Sequence, residues 1–266
     1  MELYVPKSAR GAKVRYVAVS AHKDDMEMFA LGGIAAAYRE GGFAGVVLTD
    51  GGACPRAPRY AEVDDEDMAA IRTAEQKRAA ETGRYEELCL FERSSDAVKE
   101  AAKAQGGLVD ELAEVLSRYP RVEAAFVHNP FDEHPTHVAA FVTAIRAFSA
   151  LPEEIRPERV YGCEVWRGLD WLPASRKVAI DVSGTEPLAR SLMDCFESQN
   201  AVKRYDIASL ARRQANATFY QSHEGDAASE LIFALDVTKL VYGGDIKDFT
   251  AEILAEFDAS VHTKFF

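Results

Sequence analysis

The chain has 266 residues, of which 48% are hydrophobic and 28% are charged, a composition typical of a globular protein with a sizeable buried core. Aspartate and glutamate outnumber lysine and arginine by 43 to 31, so the formal net charge is −12. Because contacts with phosphates need clustered cations, this balance argues against a protein that binds nucleic acids or anionic membrane surfaces. The four cysteines are scattered, and no apolar run reaches the length of a membrane span, so we expect a reduced, cytoplasmic protein.

Apolar runs of strand length alternate with stretches of helical period along the first 150 residues. The predicted strands are Val14–Ala21, Ala44–Thr49, Glu87–Phe91 and Val122–His128. The predicted helices cover 25–42, Asp67–Thr82, a segment that ends at about Tyr119, and about His134–Ser149. This β-α-β-α alternation predicts a Rossmann-like α/β fold with a mostly parallel sheet and helices on both faces.

The pattern is less regular in the second half of the chain. Strands are predicted at Arg159–Trp166, Lys177–Val182 and Leu231–Val237, and helices at about 185 onwards and at about Ile207–Ala217. No repeat or linker divides the sequence. We therefore predict a single domain over 1–266, with a core over about 12–150 and a C-terminal α+β elaboration over about 151–266.

Three polar residues, His22, Asp24 and Asp25, follow the first predicted strand. In a parallel α/β sheet such a turn lies at the carboxyl edge, where these folds build their sites. His22 and Asp25 are three residues apart and can point to one spot, which leaves Asp24 between them for proton transfer. Two alternatives are a helix cap beside a strand-end histidine, and a magnesium site for phosphoryl transfer. The histidine favours a borderline metal such as zinc.

The segment HNPFDEHPTH after the fourth predicted strand contains three of the six histidines. Pro135 suits the first position of a helix, so we predict His134 as the N-cap and His137 in the first turn. Their spacing directs both side chains to one location, at the same sheet edge as His22. Two histidines and one carboxylate form the ligand set of many catalytic zinc sites, in which water takes the fourth position.

These motifs resemble those of the LmbE/PIG-L family of zinc-dependent N-acetylglucosaminyl deacetylases. That family carries A-H-P-D-D-E near the first strand, a T-D-G-G-like turn after the second, an R-x-x-E helix, and H-P-D-H after a later strand. This chain has, in the same order, Ala21–Met26, Thr49–Gly52, Arg72–Glu75 and His134–His137. The resemblance covers about the first 150 residues and implies a Rossmann-like zinc hydrolase.

The resemblance assigns a role to each polar residue of the two motifs. It implies that His22, Asp25 and His137 are the metal ligands. Asp24 would be the general base, and His134 would steady the oxyanion or protonate the leaving amine. The implied cofactor is Zn²⁺, with Fe²⁺ or another borderline divalent ion as the alternative.

Four further residues are candidates for contact with the substrate. Arg72 matches a substrate-binding arginine of the family, and Asp96 aligns loosely with an aspartate that binds a sugar hydroxyl. Trp166 and Arg167 follow a predicted strand at the same edge and could form a wall with a cation. The alternative for Trp166 is a tryptophan that closes the core. We also expect specificity to reside in the loop Cys54–Glu66 and in the C-terminal part.

The chain departs from the family pattern at three positions. Lys23 replaces proline, Met26 replaces glutamate, and Thr136 replaces aspartate. None of these changes removes a proposed ligand or the proposed base. Two other histidines have weaker assignments: His128 is expected to be a hydrogen-bonded loop histidine rather than a pocket residue, and His223 a solvated surface residue.

The implied activity is removal of an acetyl or other acyl group from an amide nitrogen. The implied substrate is a small molecule, an N-acetylated amino sugar or its conjugate. Two other functions compete with it: a non-catalytic small-molecule-binding protein on the same scaffold, and a magnesium-dependent phosphohydrolase. Retention of Asp24 argues against the first, and the second would leave His22 and His137 without a purpose. A homo-oligomer is compatible with the sequence.

Overall fold

The structure is a computed structural model that describes residues 1–104, 106–263 and 265. Over these residues it has eight strands in one sheet, eleven α-helices and two short 3-10 helices. The strands are β1 Glu2–Tyr4, β2 Tyr16–Ser20, β3 Phe43–Thr49, β4 Glu87–Arg93, β5 Ala124–His128, β6 Val160–Cys163, β7 Lys177–Asp181 and β8 Leu231–Asp236. The helices are α1 Asp25–Phe29, α2 Leu31–Ala37, α3 Asp65–Gly83, α4 Ser95–Ala101, α5 Leu108–Ser117, α6 Pro135–Ala150, α7 Glu186–Met193, α8 Glu197–Asn200, α9 Tyr205–Thr218, α10 Thr238–Val241 and α11 Ile246–His262. The 3-10 helices are Pro58–Tyr60 and Glu153–Ile155.

The strands lie in the order β1-β4-β3-β2-β5-β6-β8-β7. The five central strands, from β4 to β6, are parallel, whereas β1 pairs antiparallel with β4, and β8 pairs antiparallel with both β6 and β7. The predicted Rossmann-like, mostly parallel sheet is therefore confirmed. The last two strands extend this sheet beyond β6, the first strand of the 151–266 segment.

The order of the strands fixes where a ligand can bind. The chain proceeds outward from β2 through β3 to β4, and then returns to place β5 on the other side of β2. This reversal creates a crevice outside the carboxyl ends of β2 and β5, the usual ligand position in open α/β sheets. The turn at 21–25 follows β2 and the turn at 129–134 follows β5. Both predicted motifs therefore open into the same crevice.

Buried side chains form two cores, one on each face of the sheet. Along β2, Val17 and Val19 belong to one core and Ala18 to the other, as the two-residue period of a strand requires. The first core packs the sheet against α5, α6 and α11, and the second packs it against α2, α3 and α7. In α2 the close approach depends on glycine, because a Cβ at Gly33 would lie 2.5 Å from the Phe126 ring.

Two predicted helices are each divided in the structure. The helix predicted over 25–42 is interrupted at Ala30, which separates α1 from α2, and we have no physical explanation for this interruption. The helix predicted to end at about Tyr119 is divided into α4 and α5. The cause there is the pair Gly106 and Gly107, both with positive φ, which L-residues rarely adopt. Across the described residues, every helix is too short or too polar to cross a bilayer.

Candidate metal centre and surrounding cleft

The two predicted motifs meet at the carboxyl edge of β2 and β5. Asp25 is the first residue of α1, and His134 is the N-cap of α6, with Pro135 at the first helical position as predicted. His137 then lies in the first turn of α6, buried beneath this edge. Because β2 and β5 are adjacent and parallel, residues far apart in sequence are brought into contact.

Three side-chain atoms converge on one point. Nδ1 of His22 lies 3.0 Å from Nε2 of His137. Oδ2 of Asp25 lies 3.2 Å from the His22 nitrogen and 3.3 Å from the His137 nitrogen. Ligands at about 2.0–2.1 Å from one ion in tetrahedral geometry are about 3.3 Å from each other. The three atoms are therefore spaced as a tripod around a single ion.

Two wider groupings of metal-binding atoms overlap with this tripod. His134 joins His22 and His137, and His128 joins Asp25 and His137, in each case with the atoms within 4.8 Å of one another. The lone pair of His128 is already in use, since its Nε2 accepts a hydrogen bond of 2.9 Å from the Ala21 N–H. His128 is fully buried at the end of β5, and its ring stacks on His137. It therefore supports a ligand candidate and fixes the turn after β2.

A buried carboxylate, Asp132, faces the other nitrogen of His137. Its Oδ1 lies 3.4 Å from Nδ1 of His137 and accepts a hydrogen bond of 2.9 Å from the His134 N–H. Its Oδ2 accepts one of 3.1 Å from the Trp166 N–H. Carboxylates that contact the second nitrogen of a ligating histidine set its orientation and basicity. Sequence reasoning missed Asp132, although it lies within the HNPFDEHPTH segment.

His22 and Asp25 have the charge states that a metal needs, whereas His137 must release a proton before it can bind an ion. Burial lowers the pKa of His22 and, with the neighbouring histidines, lowers that of His134 to about 4. The pKa of Asp25 stays well below its usual value because the adjacent histidines outweigh burial. For His137, burial is outweighed by Asp25 and Asp132, which raise its pKa to about 9. A divalent cation at this point would balance the Asp25 carboxylate and displace the proton of His137.

Asp24 has an unusual backbone conformation. Its φ of 99° lies in the left-handed region, which is costly for a residue other than glycine. Its buried carboxylate lines the cleft and receives a hydrogen bond of 3.1 Å from Nη2 of Arg72. Burial raises the pKa of Asp24 to about 8, against the lowering effect of Arg72. Strained, buried acids of this kind are concentrated at functional sites.

The strained turn is held from below by a buried polar network. The Asp24 N–H donates to Oε1 of Gln76 at 3.1 Å, and Nε2 of Gln76 donates to Glu27 at 2.7 Å. The Tyr85 hydroxyl donates to the same Glu27 oxygen at 2.8 Å. Met26, which departs from the family pattern, is fully buried in the core, where its side chain packs over Gly45. The adjacent Glu27 therefore supplies the carboxylate that braces this turn.

Lys23, the second departure, has partners of its own. Its side chain is fully buried, and Nζ donates to the Asp50 carbonyl at 2.5 Å and to Glu92 at 2.9 Å. Arg72 donates to the Lys23 carbonyl from the other side. The lysine thus ties the turn after β2 to the turn after β3, a connection that a proline could not make.

The cluster opens into a cleft of about 810 Å³. Three of the four predicted substrate contacts line this cleft: Arg72, Asp96 and Trp166. The fourth, Arg167, is exposed to solvent and is not among the described residues that line it. Asp96 is largely exposed and pairs with Lys99 at 2.6 Å. Trp166 is 39% exposed, so it does not close the core. The loop predicted to shape specificity contributes residues at both of its ends, and His223 is exposed.

The fold and the site together define a Rossmann-like α/β protein with a histidine-carboxylate centre at the switch point of its sheet. The chain belongs to the PIG-L family, since residues 17–148 match the family model described as GlcNAc-PI de-N-acetylase. The match spans the same part of the chain as the motifs. No curated protein matches the chain at a significant level.

Several solved structures share this fold. The conserved protein TT1542 from Thermus thermophilus is 17% identical with a TM-score of 0.61, over 84% of this chain and 94% of that one. The 4-carboxy-2-hydroxymuconate hydratase GalB from Pseudomonas putida KT2440 is 20% identical with a TM-score of 0.61, over 85% and 96%. The N,N'-diacetylchitobiose deacetylase from Pyrococcus horikoshii is 15% identical with a TM-score of 0.57, over 82% of each chain.

Proposed function

We propose that this protein is a metal-dependent N-deacetylase that hydrolyses the amide of an N-acetylated amino sugar or its conjugate. The observation that carries the proposal is the tripod of His22, Asp25 and His137, with donor atoms 3.0–3.3 Å apart. Two nitrogens and one oxygen suit zinc, or ferrous iron as the second candidate, better than magnesium, which prefers oxygen ligands. Membership of the PIG-L family supports the same reaction.

The residues of the tripod fit a resident metal ion. His22, Asp25 and His137 would hold it, and the contact with Asp132 would keep the His137 ring in its ligating orientation. Such an ion supplies Lewis-acid polarisation of the amide carbonyl and lowers the pKa of water to about 7, from about 15.7 in bulk. The cleft reaches His22 and Asp25 of the tripod, which leaves room for a substrate and a water molecule on that side.

Asp24 is the proposed general base. Its carboxylate faces the cleft beside the tripod, where it would take a proton from the attacking water and pass it to the departing amine. Arg72 would hold this carboxylate in place through the 3.1 Å hydrogen bond, which adds a positioning role to its proposed substrate contact. Replacement of either side chain should therefore act on turnover more than on metal content.

His134 is proposed to stabilise the oxyanion. Its Nδ1 accepts a hydrogen bond of 3.3 Å from the Thr136 N–H, so the neutral ring carries its proton on Nε2. The ring lies in the cleft, 4.9 Å from that of His22 between centroids, where a donor can meet the charge that develops on the carbonyl oxygen. This tautomer favours stabilisation of the oxyanion over protonation of the amine.

The fold alone does not decide the reaction, because one solved neighbour is described as a hydratase and others as deacetylases. The test is therefore a reaction screen with metal analysis. Protein purified without added metal would be assayed with N-acetylglucosamine, its glycosides, other acylated amines and phosphate esters, with separate detection of acetate, free amine and phosphate. One neighbour is described as a zinc-inhibited teicoplanin deacetylase, so zinc would be titrated from below to above one equivalent.

The expected result is bound zinc or iron near one ion per chain, and release of acetate and free amine in equal amounts. Asp24→Asn should keep the metal and lose turnover. Release of phosphate that requires magnesium, or turnover that is undiminished in Asp24→Asn, would contradict the proposal.

A further inference from the structure

A second cavity, of about 260 Å³, adjoins the cleft. The two share Met28, Trp166, Lys203 and Tyr205 as lining residues. Trp166 stands between them, with its ring 6.1 Å from that of His134 between centroids. A substrate whose amide is at the tripod can therefore extend a substituent past Trp166 into this cavity, which we call the side pocket.

The side pocket is lined by four cationic side chains, Lys203, Arg204, Arg212 and Arg213, in a chain whose net charge is −12. Two of them form no close ion pair: among the described residues, no carboxylate lies within 4.0 Å of the charged nitrogens of Lys203 or Arg212. Lys203 instead lies over the Trp166 ring, with Nζ 4.2 Å from the centroid, and Nη1 of Arg212 donates to the Val165 carbonyl. A local excess of cations in an acidic protein attracts and retains an anion.

The other two cations have partners. Arg204 forms two hydrogen bonds with Asp206, of 3.0 and 2.8 Å. Nε of Arg213 donates to Glu230 at 2.8 Å. Arg213 is only 4% exposed, and its Nη1 is buried with no hydrogen-bond partner among the described residues. A buried donor of a charged group without a partner is costly, and a bound anion would supply the missing acceptor.

Among the described lining residues one is acidic, Glu164, and it offsets only part of this charge: burial raises the pKa of its carboxyl, while Arg212 acts to lower it. Glu164 is 5% exposed, and its carboxylate already accepts hydrogen bonds from internal donors. Those donors are the Leu169 N–H at 2.9 Å, the Phe233 N–H at 3.1 Å and the Asn216 side chain. Its oxygens are thus directed into the protein, whereas Lys203 and the second amino group of Arg212 remain available to a ligand.

We propose that the side pocket is an anion subsite, and that the substrate is an N-acylated amino sugar conjugate whose substituent carries a carboxylate or a phosphate. This inference rests on the proposed function for the position of the amide and adds the charge of the substrate. A carboxylate and a phosphate both offer negatively charged oxygens, which would accept hydrogen bonds from Lys203, Arg212 and Nη1 of Arg213. Trp166 would pack against the sugar between the anion and the tripod.

The test measures binding of reaction products, so that it does not require turnover. Calorimetry on the metal-loaded protein would compare glucosamine 1-phosphate, the carboxymethyl glycoside of glucosamine and its neutral methyl glycoside. We expect at least one anionic ligand to bind about tenfold or more tightly than the methyl glycoside, because hydrogen bonds to charged groups are stronger than those between neutral groups. This advantage should shrink as salt is added.

Two variants and a matched control assign the preference to the side pocket. Arg212→Gln and Lys203→Gln should each reduce the affinity for the anionic ligand about tenfold, with a much smaller change for the methyl glycoside. Arg39→Gln is the control, because Arg39 is exposed in the turn between α2 and β3, at the opposite edge of the sheet. Thermal unfolding of each variant checks that the fold is retained.

The outcomes separate this inference from the proposed function. Equal affinity for all three ligands, or a preference that both variants leave intact, overturns the subsite even if acetate is released from a neutral substrate. A preference that Arg212→Gln abolishes supports the subsite even if no N-acetyl compound is hydrolysed, in which case only the proposed reaction fails. Preference for the phosphate or for the carboxylate identifies which oxyanion the pocket takes.

Discussion

Replacement of Asp132 with asparagine probes how the metal site is supported. The carboxylate lies 3.4 Å from Nδ1 of His137 and accepts from two backbone N–H groups, those of His134 and Trp166. Asparagine keeps the size but offers one acceptor oxygen instead of two and removes the negative charge. Loss of such a supporting carboxylate typically weakens metal binding about 10- to 100-fold. This corresponds to about 1.4–2.7 kcal/mol of binding free energy.

The assay is competition for zinc between the protein and a fluorescent chelator. Asp245→Asn is a matched control, since Asp245 also accepts from two backbone N–H groups, at 2.7 and 3.0 Å, as the N-cap of α11 far from the tripod. We expect Asp132→Asn to weaken zinc binding and Asp245→Asn to leave it unchanged. Equal zinc affinity in the wild type and Asp132→Asn, with both folded, would refute the supporting role of Asp132.

Three further predictions follow from the same contacts. Asp24→Asn should retain zinc while the rate of acetate release falls at least about 100-fold; metal analysis beside the kinetics checks this, and a smaller loss would exclude Asp24 as the base. Gly33→Ala should lower the free energy of unfolding by about 1–3 kcal/mol, because the added Cβ would lie 2.5 Å from the Phe126 ring; urea unfolding measures this, and an unchanged midpoint would contradict it. Removal of the metal with a chelator should lower the Tm, because an ion that binds only the folded state stabilises it, and re-addition of zinc should restore the Tm. A Tm that is unchanged in both steps would contradict a metal site formed by the folded protein.

The position of the candidate site was predictable because it depends on topology. Polar residues follow a predicted strand twice, at His22–Asp25 and at His134–His137. In a parallel sheet this pattern predicts that both segments lie at the same edge. The structure places both segments beside adjacent strands at the switch point. The spacing of three residues within each segment then brings the side chains together, since the helix begins at the same turn.

The support of the site was not predictable in the same way. Asp132, Gln76 and Glu27 are ordinary polar residues in sequence, and their importance arises from burial next to the tripod and the Asp24 turn. Which buried donor meets which acceptor depends on packing between α3 and α1, and no periodic pattern encodes it. The role of Lys23 likewise depends on Glu92, a residue 69 positions away.

The second half of the chain illustrates the same limit. The side pocket forms only because α9 lies beside the end of β6. Its cations do not stand out in the sequence, because acidic residues outnumber basic ones along the chain. By contrast, α11 was missed although its signals are present: Asp245 is an N-cap, and Phe249 and Ile253 are buried one helical turn apart. The difference is that α11 follows from local rules, whereas the pocket follows from tertiary placement.

X-ray absorption at the zinc edge would identify the ligands of the metal. For protein loaded with one equivalent of zinc, we expect nitrogen and oxygen ligands at about 2.0–2.1 Å, with imidazole scattering from two histidines and no sulfur. His137→Ala should lose zinc or one imidazole, while His262→Ala, at an exposed position near the end of α11, should leave the spectrum unchanged. A sulfur ligand at about 2.3 Å, as Cys54 in the cleft would provide, or an unaltered spectrum in His137→Ala, would contradict the assignment.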